Sequence, residues 1–527
     1  MALAKTHTIA IDGVVAHPVE VEAHIGTGLP GITIVGMADT SISEARSRIR
    51  TAVMQSELDW PKTRIVVSMA PASLPKSGTH FDLPIALAIL AARAGLGGTA
   101  AQSADAVLAA SPSAAVLGGT LFLGEVGLDG SIRPVSGVLP AAVAAQEYGF
   151  DRLVIPVGNA PEACLVEGVE ILVVHTLKQA VAFVRGLTRL ESARDVVSQR
   201  TQLGARQDVV KCFSDIAGQA EAKRAAEIAA AGGHHLLMIG PPGSGKSMLA
   251  ARLPSILPQL STRQSLEATA IHSLAGKVGQ AVLQAPFVAP HPSVTRAGLV
   301  GGGSGRARPG AASLAHHGVL FLDEASEVAA EALDSLRAPL EEGHVRLVRA
   351  RREVIFPARF QLVLAANPCR CAEEEPAACV CKPAQRASYL HNLSGPLRDR
   401  LDMVITLSGR SARLDAAGEE TSASIAQRVA AARERGAHRW ARAELDAETN
   451  AAVGAAWLRR NFPATDEAME LLRAYLAAGE VSQRGVDRSL KLAWTLADLH
   501  GISRPGMEEV SQAIDLRGTD TYGKWGQ

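Results

Sequence analysis

Residues 240–247, Gly-Pro-Pro-Gly-Ser-Gly-Lys-Ser, match the pattern of a loop that cradles nucleotide phosphates. The apolar run at 235–239 predicts a buried strand, and the run at 248–253 predicts a helix. The glycines let backbone N–H groups turn toward one phosphate chain, Lys246 supplies charge for the outer phosphates, and the Ser247 hydroxyl is placed to bind Mg²⁺. A glycine-rich turn without nucleotide is disfavoured by this strand–loop–helix setting. The predicted nucleotide contacts are Gly240, Pro241, Pro242, Gly243, Ser244, Gly245, Lys246 and Ser247.

Two later apolar runs also end in residues that suit nucleotide hydrolysis. The run 318–322 ends at Asp323 and Glu324, and the run 360–366 ends at Asn367. Asp323 is predicted to hold Mg²⁺ with Ser247, and Glu324 to polarise the attacking water. Asn367 is predicted to orient that water or to sense the γ-phosphate, although Asn is also a common strand cap.

An arginine before the terminal strand of the predicted sheet is a candidate for catalysis in a neighbouring subunit. Arg400 lies just before the run 403–407, and its planar fork suits charge that develops on a γ-phosphate. Ring-forming ATPases keep such a residue at this point of the chain. We prefer Arg400 to Arg398; the alternative is a local ion pair with Asp399 or Asp402.

The last part of the chain, 409–527, is predicted to be a helical lid. The stretches 421–436 and 465–476 are amphipathic, and 487–499 carries apolar residues at helical spacing. Arg484 stands at the start of that last helix and is predicted to reach the nucleotide. Arg488, one turn further on, is the alternative.

Arginines cluster at the tip of a predicted β-hairpin within 344–356. We interpret Arg349, Arg351 and Arg352 as contacts for DNA phosphates in a central pore. The alternative is a hairpin tip that is charged only to remain solvated. The glycine-rich basic segment 299–310 is predicted to be a mobile loop that faces the same pore.

Four of the six cysteines lie close together, in two C-x-C pairs. Four thiolates on one short loop can close tetrahedrally around Zn²⁺ and order the loop. Zinc is the favoured interpretation, while free or paired thiols and an iron–sulfur cluster remain open. The predicted ligands are Cys369, Cys371, Cys379 and Cys381.

Composition describes a multidomain protein of the cytoplasm. The chain has 527 residues, more than one core normally accommodates. Lys+Arg and Asp+Glu both number 53, so DNA contact must come from a local patch and not from the overall charge. The first residues lack the apolar core of a secretory signal, and we expect neither a membrane span nor a disulfide framework.

Residues 1–185 mix short strand-like runs with helical stretches, and 186–210 reads as a polar linker. Two segments, 28–36 and 75–84, together with 218–234 and 393–402, closely resemble the ComM/YifB family of Mg-chelatase-like AAA+ ATPases. The resemblance runs essentially along the whole chain. It implies an α/β protein: a Lon-protease-like α+β domain, an AAA+ phosphate-loop core with a parallel sheet over 211–408, and the helical lid.

The resemblance also implies a function. The best-studied members of the family are hexameric DNA motors that drive branch migration during the integration of transformed DNA. We therefore expect an ATPase that uses ATP and Mg²⁺ between subunits of a homo-oligomeric, six-membered ring and moves branched or single-stranded DNA through its pore.

Two other functions remain under consideration. The ATPase core is shared with chelatase motors that remodel a partner protein for Mg²⁺ insertion into a porphyrin. The Lon-like resemblance also raises proteolysis, but that chemistry needs a serine and a lysine. The sequence has Thr79-His-Phe-Asp where Lon carries the serine, and Gly137-Val-Leu-Pro where it carries the lysine. Lys76 and His80 are therefore expected to be surface or structural residues.

Overall fold

The structure is a computed structural model of the chain. It describes residues 2–36, 40–74, 76–95, 112–202, 211–277, 279–303, 307–349, 352–371, 373, 379–382, 385, 389, 392–408 and 419–517. Within these residues there are two large sheets, one in each half of the chain, and a group of helices at the C-terminal end. None of the described helices has both the length and the apolar character that a bilayer crossing requires.

The N-terminal sheet is mixed and has eight strands. The first strands are β1 (Ala2–Asp12), β2 (Val15–Gly26), β3 (Gly31–Val35), β4 (Arg64–Ala70) and β5 (Thr120–Phe122), followed by the small ribbon β6 (Glu125–Val126) and β7 (Ile132–Arg133). The remaining strands are β8 (Arg152–Pro156), β9 (Glu170–Val174) and β10 (Glu191–Ser192). The order across the sheet is β10-β9-β8-β5-β1-β2-β4-β3, so the long antiparallel hairpin β1–β2 lies near its centre.

Helices cover both faces of this sheet. They are α1 (Thr40–Gln55), α2 (Asp82–Arg93), α3 (Pro112–Gly118), α4 (Val138–Glu147), α5 (Ala160–Ala163), α6 (Leu177–Val184) and α7 (Ala193–Gln202). Successive residues of a strand point to opposite faces. Val154 and Leu172 accordingly join the core beneath α1 and α2, whereas Leu153 and Val173 join the core beneath α4.

The segment predicted as a linker differs in part from the expectation. Residues 191–202 form β10, which pairs with β9, and α7. Val196 and Val197 pack against the apolar cluster beneath α4. These two valines bury enough surface to pack the helix against the sheet. Two apolar residues among polar ones do not make a helical periodicity that the sequence alone would show.

The second sheet is entirely parallel. Its strands are β11 (Leu236–Ile239), β12 (Phe287–Val288), β13 (Val319–Leu322), β16 (Gln361–Ala366) and β17 (Met403–Thr406), in the order β12-β13-β16-β11-β17. The accompanying helices are α8 (Ala220–Gly232), α9 (Lys246–Ala250), α10 (Thr262–Leu274), α11 (Arg296–Val300), α12 (Ala311–Leu314), α13 (Ala330–Asp334), α14 (Arg337–Glu342) and α15 (Gly395–Arg398). Apolar clusters cover both of its faces, as a buried parallel sheet requires.

A two-stranded hairpin projects from this module between α14 and β16. Its strands are β14 (His344–Arg349) and β15 (Arg352–Pro357), which pair in antiparallel register. Val345 and Phe356 are buried at the base, whereas Val348 is exposed toward the tip. The base of the hairpin is therefore anchored in the core, whereas Val348, further along β14, faces solvent.

The C-terminal region is helical and shares a core with the parallel sheet. Its helices are α16 (Ser422–Arg442), α17 (Ala455–Asn461), α18 (Asp466–Ala477), α19 (Gln483–His500) and α20 (Met507–Asp515). Leu490 and Trp494 of α19 lie in the same apolar cluster as Met238 of β11. The Val404 N–H of β17 also donates to the Leu516 carbonyl, 2.8 Å away.

Helix α10 joins the two halves of the chain. Leu266 and Ala270 pack against the core beneath α4, and the hydroxyl of Ser273 accepts a hydrogen bond from the Gly137 N–H at 3.0 Å. Beyond the helix, the Gly279 N–H donates to the buried carboxylate of Glu162 at 3.3 Å. The N-terminal sheet thus has both apolar and polar attachments to the parallel-sheet module.

Candidate nucleotide site

Three parallel strands deliver the predicted hydrolytic residues to one edge of the second sheet. The phosphate loop follows β11, Asn367 follows β16, and Asp323 with Glu324 follows β13. Strand β16 lies between β11 and β13, so Asn367 stands between the phosphate loop and the two carboxylates. Ligands of open α/β sheets bind at this carboxyl edge.

Glycine is required at several points of the phosphate loop. Gly243 and Gly245 have φ of 79° and 87°, in the left-handed region that favours glycine. At Gly240 a Cβ atom would lie 2.6 Å from the Leu407 carbonyl oxygen. The Gly240 N–H donates to the Ala366 carbonyl at 3.1 Å, so the start of the loop is fixed to the neighbouring strand.

Lys246 lies under the loop and is almost fully buried. Its Nζ donates to the carbonyls of Gly240 and Pro241, at 2.6 and 2.8 Å, and to Asn367 Oδ1 at 3.2 Å. Burial lowers the pKa of Lys246, against the attraction of Asp323 and Glu324. Neutral carbonyls are weaker acceptors than phosphate oxygens, so this ammonium group is available to a nucleotide.

Ser247 and Asp323 bring two oxygen ligands together. The Ser247 hydroxyl donates to Asp323 Oδ2 at 2.6 Å, and the other carboxylate oxygen accepts the Glu324 N–H at 3.0 Å. A hydroxyl and a carboxylate fit Mg²⁺, which prefers hard oxygen ligands. The two residues predicted to hold this ion are thus in direct contact.

Glu324 has an unusual backbone and an exposed side chain. Its φ is 46°, a left-handed value that costs a non-glycine residue of the order of 1–3 kcal/mol. Such strain occurs where neighbouring structure holds a side chain in a functional position. The exposed carboxylate next to Asp323 is suited to contact a water molecule at the edge of the site.

Arg400 is paired within its own chain. Its side chain is 12% exposed and forms an ion pair with Glu341, and Nη1 donates to the Pro396 carbonyl at 2.6 Å. Both Arg400 and Glu341 line an open surface cavity of about 540 Å³. The local pair considered from the sequence, with Asp399 or Asp402, is not the one formed by Arg400 in the described residues.

The two arginines of the lid helix approach the segment that carries Arg400. Arg484 Nη1 lies 3.4 Å from Asp399 Oδ2, and both side chains are largely exposed. Arg488 pairs with buried Asp402 and donates to the Arg400 carbonyl at 2.7 Å. The structure therefore brings both lid arginines to the predicted subunit-completing segment, and the assignment of Arg484 to the nucleotide stays a prediction.

The four clustered cysteines converge. Their sulfur atoms all lie within 4.8 Å of one another, and every one of the chain's six cysteines is free of disulfide bonds. The Cys369 and Cys371 sulfurs are 3.1 Å apart, and each lies 3.4 Å from the Cys379 sulfur. Hydrogen bonding, chiefly from Cys369, lowers the pKa of Cys371 to about 6. Four sulfurs around one point fit a tetrahedral Zn²⁺ ion.

The structure describes only part of the predicted DNA-binding groups. Arg349 and Arg352 are paired partners at the end of the β14–β15 ladder, so they stand on either side of the tip. Arg351 lies outside the described residues. The first two residues of the glycine-rich segment 299–310 are the last residues of helix α11. Further along, Gly302 and Arg308 exchange backbone hydrogen bonds of 3.2 and 2.9 Å.

A buried cluster that the sequence analysis missed lies at the foot of strand β13. His316 Nε2 and His317 Nε2 contact the same Glu267 oxygen, at 3.1 and 2.7 Å. His316 Nδ1 accepts the Arg359 N–H at 2.9 Å, so a neutral His316 carries its proton on Nε2 and donates to Glu267. This tautomer leaves Nε2 unable to bind a metal ion, and we interpret the cluster as a hydrogen-bonded brace. A separation of 49 residues hid it from sequence inspection.

The residues that the sequence analysis compared with the Lon catalytic site make structural contacts. Lys76 is buried and its Nζ donates to the Pro71 carbonyl, while the buried His80 contacts the Ile9 carbonyl at 3.0 Å. We expected Lys76 and His80 to be either surface or structural residues. Both are buried, so the structural alternative fits and the surface alternative does not. Gly137 is the N-cap of α4, whose next residues are buried and apolar.

Three family models match most of the chain. The model described as "Magnesium chelatase, subunit ChlI" matches residues 212–414. "Subunit ChlI of Mg-chelatase" matches residues 21–159, and "Magnesium chelatase, subunit ChlI C-terminal" matches residues 419–517. The three matches cover, in this order, the parallel-sheet module, part of the N-terminal sheet and the helical region.

Full-length relatives agree with the family models. An uncharacterized protein of Mycobacterium tuberculosis is 45% identical over 98% of this chain and 99% of its own length. YifB of Escherichia coli is 38% identical over 99% of this chain and 98% of its own. Competence protein ComM of Haemophilus influenzae is 37% identical over 98% of both chains. The chain therefore belongs to the ComM/YifB family of Mg-chelatase-like AAA+ ATPases.

Proposed function

We propose that this protein is an ATP-hydrolysing ring motor that binds and translocates DNA, acting as a branch-migration helicase in recombination or natural transformation. One observation carries the ATPase part: Lys246, the Ser247–Asp323 pair and Asn367 meet at one sheet edge, with Glu324 beside them. The DNA part is supported by the similarity to Competence protein ComM and by the projecting hairpin with arginines near its tip.

The proposed chemistry is water attack on the γ-phosphorus of ATP. Glu324 takes a proton from the water as the new P–O bond forms, and the bond from the γ-phosphorus to the β,γ-bridging oxygen breaks, which leaves ADP and phosphate. Lys246 binds the outer phosphates, and Asn367 orients the water. Mg²⁺, held by Ser247 and Asp323, neutralises charge on the phosphates when it is bound.

The site is proposed to be completed by a neighbouring copy of the chain. Arg400 lines an open cavity, and its guanidinium would donate hydrogen bonds to the γ-phosphate of the ATP bound to the adjacent subunit. Such contacts are heterologous and close into a ring, which we propose to have six members. Hydrolysis would then move the hairpin arginines Arg349, Arg351 and Arg352 against DNA in the pore.

The finer domain assignment is also a proposal. We assign residues 1–185 to a Lon-like domain that has lost its proteolytic dyad, 211–408 to the AAA+ core, and 409–527 to the lid. The chain would work in the cytoplasm. A chelatase-type motor that remodels a protein partner is the second candidate, because the matching family models carry the chelatase description.

The cysteine cluster is proposed to hold a structural zinc ion. Sulfur atoms that lie within 4.8 Å of one another suit one tetrahedral ion better than a polynuclear iron–sulfur cluster, which must separate its ligands around several metal atoms. The four cysteines immediately follow β16, so the ion would order the loop next to Asn367.

The functional test compares ATP turnover with and without DNA. We expect forked or single-stranded DNA to stimulate hydrolysis, with no degradation of casein. Glu324→Gln should still bind ATP and lose at least about 100-fold in kcat, as expected for loss of a general base. Glu327→Gln, an exposed residue three positions away, is the matched control and should remain active.

Two results would contradict the proposal. ATP turnover indifferent to every DNA structure, but stimulated by chelatase partner proteins, would favour the protein-remodelling motor. Equal loss of ATP binding and turnover in Glu324→Gln would remove Glu324 from its assigned role. Electron microscopy of this variant with ATP and forked DNA would determine whether a six-membered ring encloses the DNA.

A further inference from the structure

The ion pair between Arg400 and Glu341 joins two functional elements that lie 59 residues apart in the chain. Arg400 follows helix α15 and is the residue proposed to act on a neighbour's nucleotide. Glu341 lies in the last turn of helix α14, which leads directly into the hairpin β14–β15. The resting position of the proposed catalytic arginine is therefore set by the base of the proposed DNA-binding hairpin.

The connection between Glu341 and the hairpin is stiff. Gly343, with φ of 70°, ends helix α14 and donates to the Pro339 carbonyl at 2.9 Å. Its own carbonyl accepts the Ala358 N–H at 2.8 Å, so the end of α14 is bonded to the residue that follows β15. Buried Val345 and Phe356 hold the two strands at this point. Tilting of the hairpin would consequently move the end of α14 and the Glu341 carboxylate.

Arg400 is held in this position incompletely. Its Nη groups are bonded to Glu341 and to the Pro396 carbonyl, but its Nε is buried without a hydrogen-bond partner in the described structure. A buried donor without a partner is unfavourable, so the paired position is not the best available to this guanidinium. Arg400 also lines the open cavity of about 540 Å³, together with Arg296 and Arg337.

We propose that Glu341 is a positioning residue that holds Arg400 away from the neighbouring nucleotide and releases it when DNA moves the hairpin. This inference rests on the proposed function, because it requires Arg400 to act between subunits. Glu341 is 60% exposed, and an ion pair with one exposed partner is weak. A γ-phosphate carries more charge and accepts more hydrogen bonds than one carboxylate, so it can displace Glu341 once the hairpin shifts.

The test replaces Glu341 with the isosteric neutral Gln. Release of Arg400 should raise kcat for ATP without DNA about threefold, the scale of a weak ion pair, and leave the KM for ATP unchanged because Lys246 is untouched. Stimulation by DNA should fall by the same factor. Glu342→Gln is the matched control, since Glu342 contacts His344 at 3.2 Å and should behave as the unmodified protein.

A second pair of variants separates this inference from the proposed function. Arg400→Ala should abolish turnover, and Glu341→Gln should add nothing in that background. If Arg400→Ala remains fully active, the proposed function fails and the inference fails with it. If Arg400→Ala is inactive but Glu341→Gln has unchanged or lowered kcat without DNA, only the inference fails.

Structural damage has a different signature. A destabilised variant loses activity with and without DNA in parallel and melts at a lower temperature, whereas released Arg400 raises one rate and leaves melting unchanged. Glu341→Asp supplies the conservative comparison, because it keeps the charge on a shorter side chain. Partial return of DNA stimulation in Glu341→Asp supports the positioning role, and values equal to those of Glu341→Gln overturn it.

Discussion

At the scale of single residues, the brace at the foot of β13 shows how protonation is linked to folding. Burial opposes ionisation of Glu267, but hydrogen bonds from His317 and His316 outweigh it and lower the pKa of this carboxyl to about 2. Burial and the neighbouring His317 lower the pKa of His316 to about 4, although Glu267 opposes the shift. The folded chain therefore keeps His316 neutral and Glu267 ionised through the mildly acidic range.

The depressed pKa of His316 predicts loss of stability on acidification. An unfolded histidine binds a proton below about pH 6.5, whereas folded His316 does so only near pH 4. The stabilisation is fully present above pH 6.5 and is lost as the pH falls toward 4. At pH 5 the free energy of unfolding should be lower by about 2 kcal/mol than at neutral pH. His316→Asn keeps an acceptor for the Arg359 N–H and removes the titrating ring.

The measurement is the unfolding midpoint of the module at pH 7 and at pH 5. The unmodified chain should lose more stability between these values than His316→Asn does. His438→Asn, at an exposed position of α16, is the control and should retain the full pH dependence. Equal pH dependence in His316→Asn and the unmodified chain would contradict the role assigned to the brace.

At the scale of elements, the strands that carry the proposed hydrolytic residues could be predicted from the sequence. Strands β11 and β13 are continuous apolar runs and β16 is apolar after its first residue; the phosphate loop follows β11, Asp323 follows β13 and Asn367 follows β16. Buried parallel strands need such runs because both of their faces are covered. The three helical stretches predicted at 421–436, 465–476 and 487–499 are also present, and they correspond to α16, α18 and α19.

Other elements could not be predicted because their signals are not local. The strands of hairpin β1–β2 mix polar and apolar residues, so the Asp12-Gly13 turn motif between them does not by itself establish the pairing with β4 and β5 that stabilises the hairpin. Helix α7 docks through two valines. The Arg400–Glu341 pair joins residues far apart in the chain, and only the folded structure reveals it.

The four-cysteine loop carries a prediction of its own. If zinc orders it, the purified protein should contain about one zinc per chain, as expected for one four-cysteine site. Removal of the metal with a chelator, or Cys369→Ser, should lower ATP turnover and the thermal stability of the loop region, because the loop follows Asn367 directly. Metal analysis and limited proteolysis are the measurements.

A matched change tests whether the effect comes from the cluster. Cys164→Ser alters a free cysteine of the N-terminal sheet and should leave metal content unchanged. Iron in place of zinc, with visible absorbance, would favour the iron–sulfur alternative. Absence of any bound metal, with full activity after chelation, would leave the four residues as reduced thiols.

At the scale of the whole molecule, catalysis between subunits predicts complementation. Arg400→Ala and Glu324→Gln should each be inactive alone, since every interface lacks one group. Mixing them in equal amounts should restore activity at about a quarter of the interfaces, where random assembly in a heterologous ring joins an intact Glu324 to an intact Arg400. ATP turnover after mixing is the measurement.

The chain offers a matched control for this experiment. Lys246→Ala and Glu324→Gln both damage the half of the site that one subunit contributes, so no mixture of them contains an intact interface. That mixture should remain inactive. Restoration there, or a failure to restore activity in the first mixture, would show that hydrolysis does not depend on an arginine from the adjacent subunit.

Helix α10 has a consequence for any attempt to study the ATPase module alone. It presents Leu266 and Ala270 to the N-terminal sheet and bonds that sheet through Ser273. A fragment that begins after residue 190 would expose this apolar face to water, and the Ser273 hydroxyl would lose the Gly137 N–H that bonds to it. Such a fragment would be prone to aggregate, and its aggregation would report the exposed helix instead of the assembly state of the full-length chain.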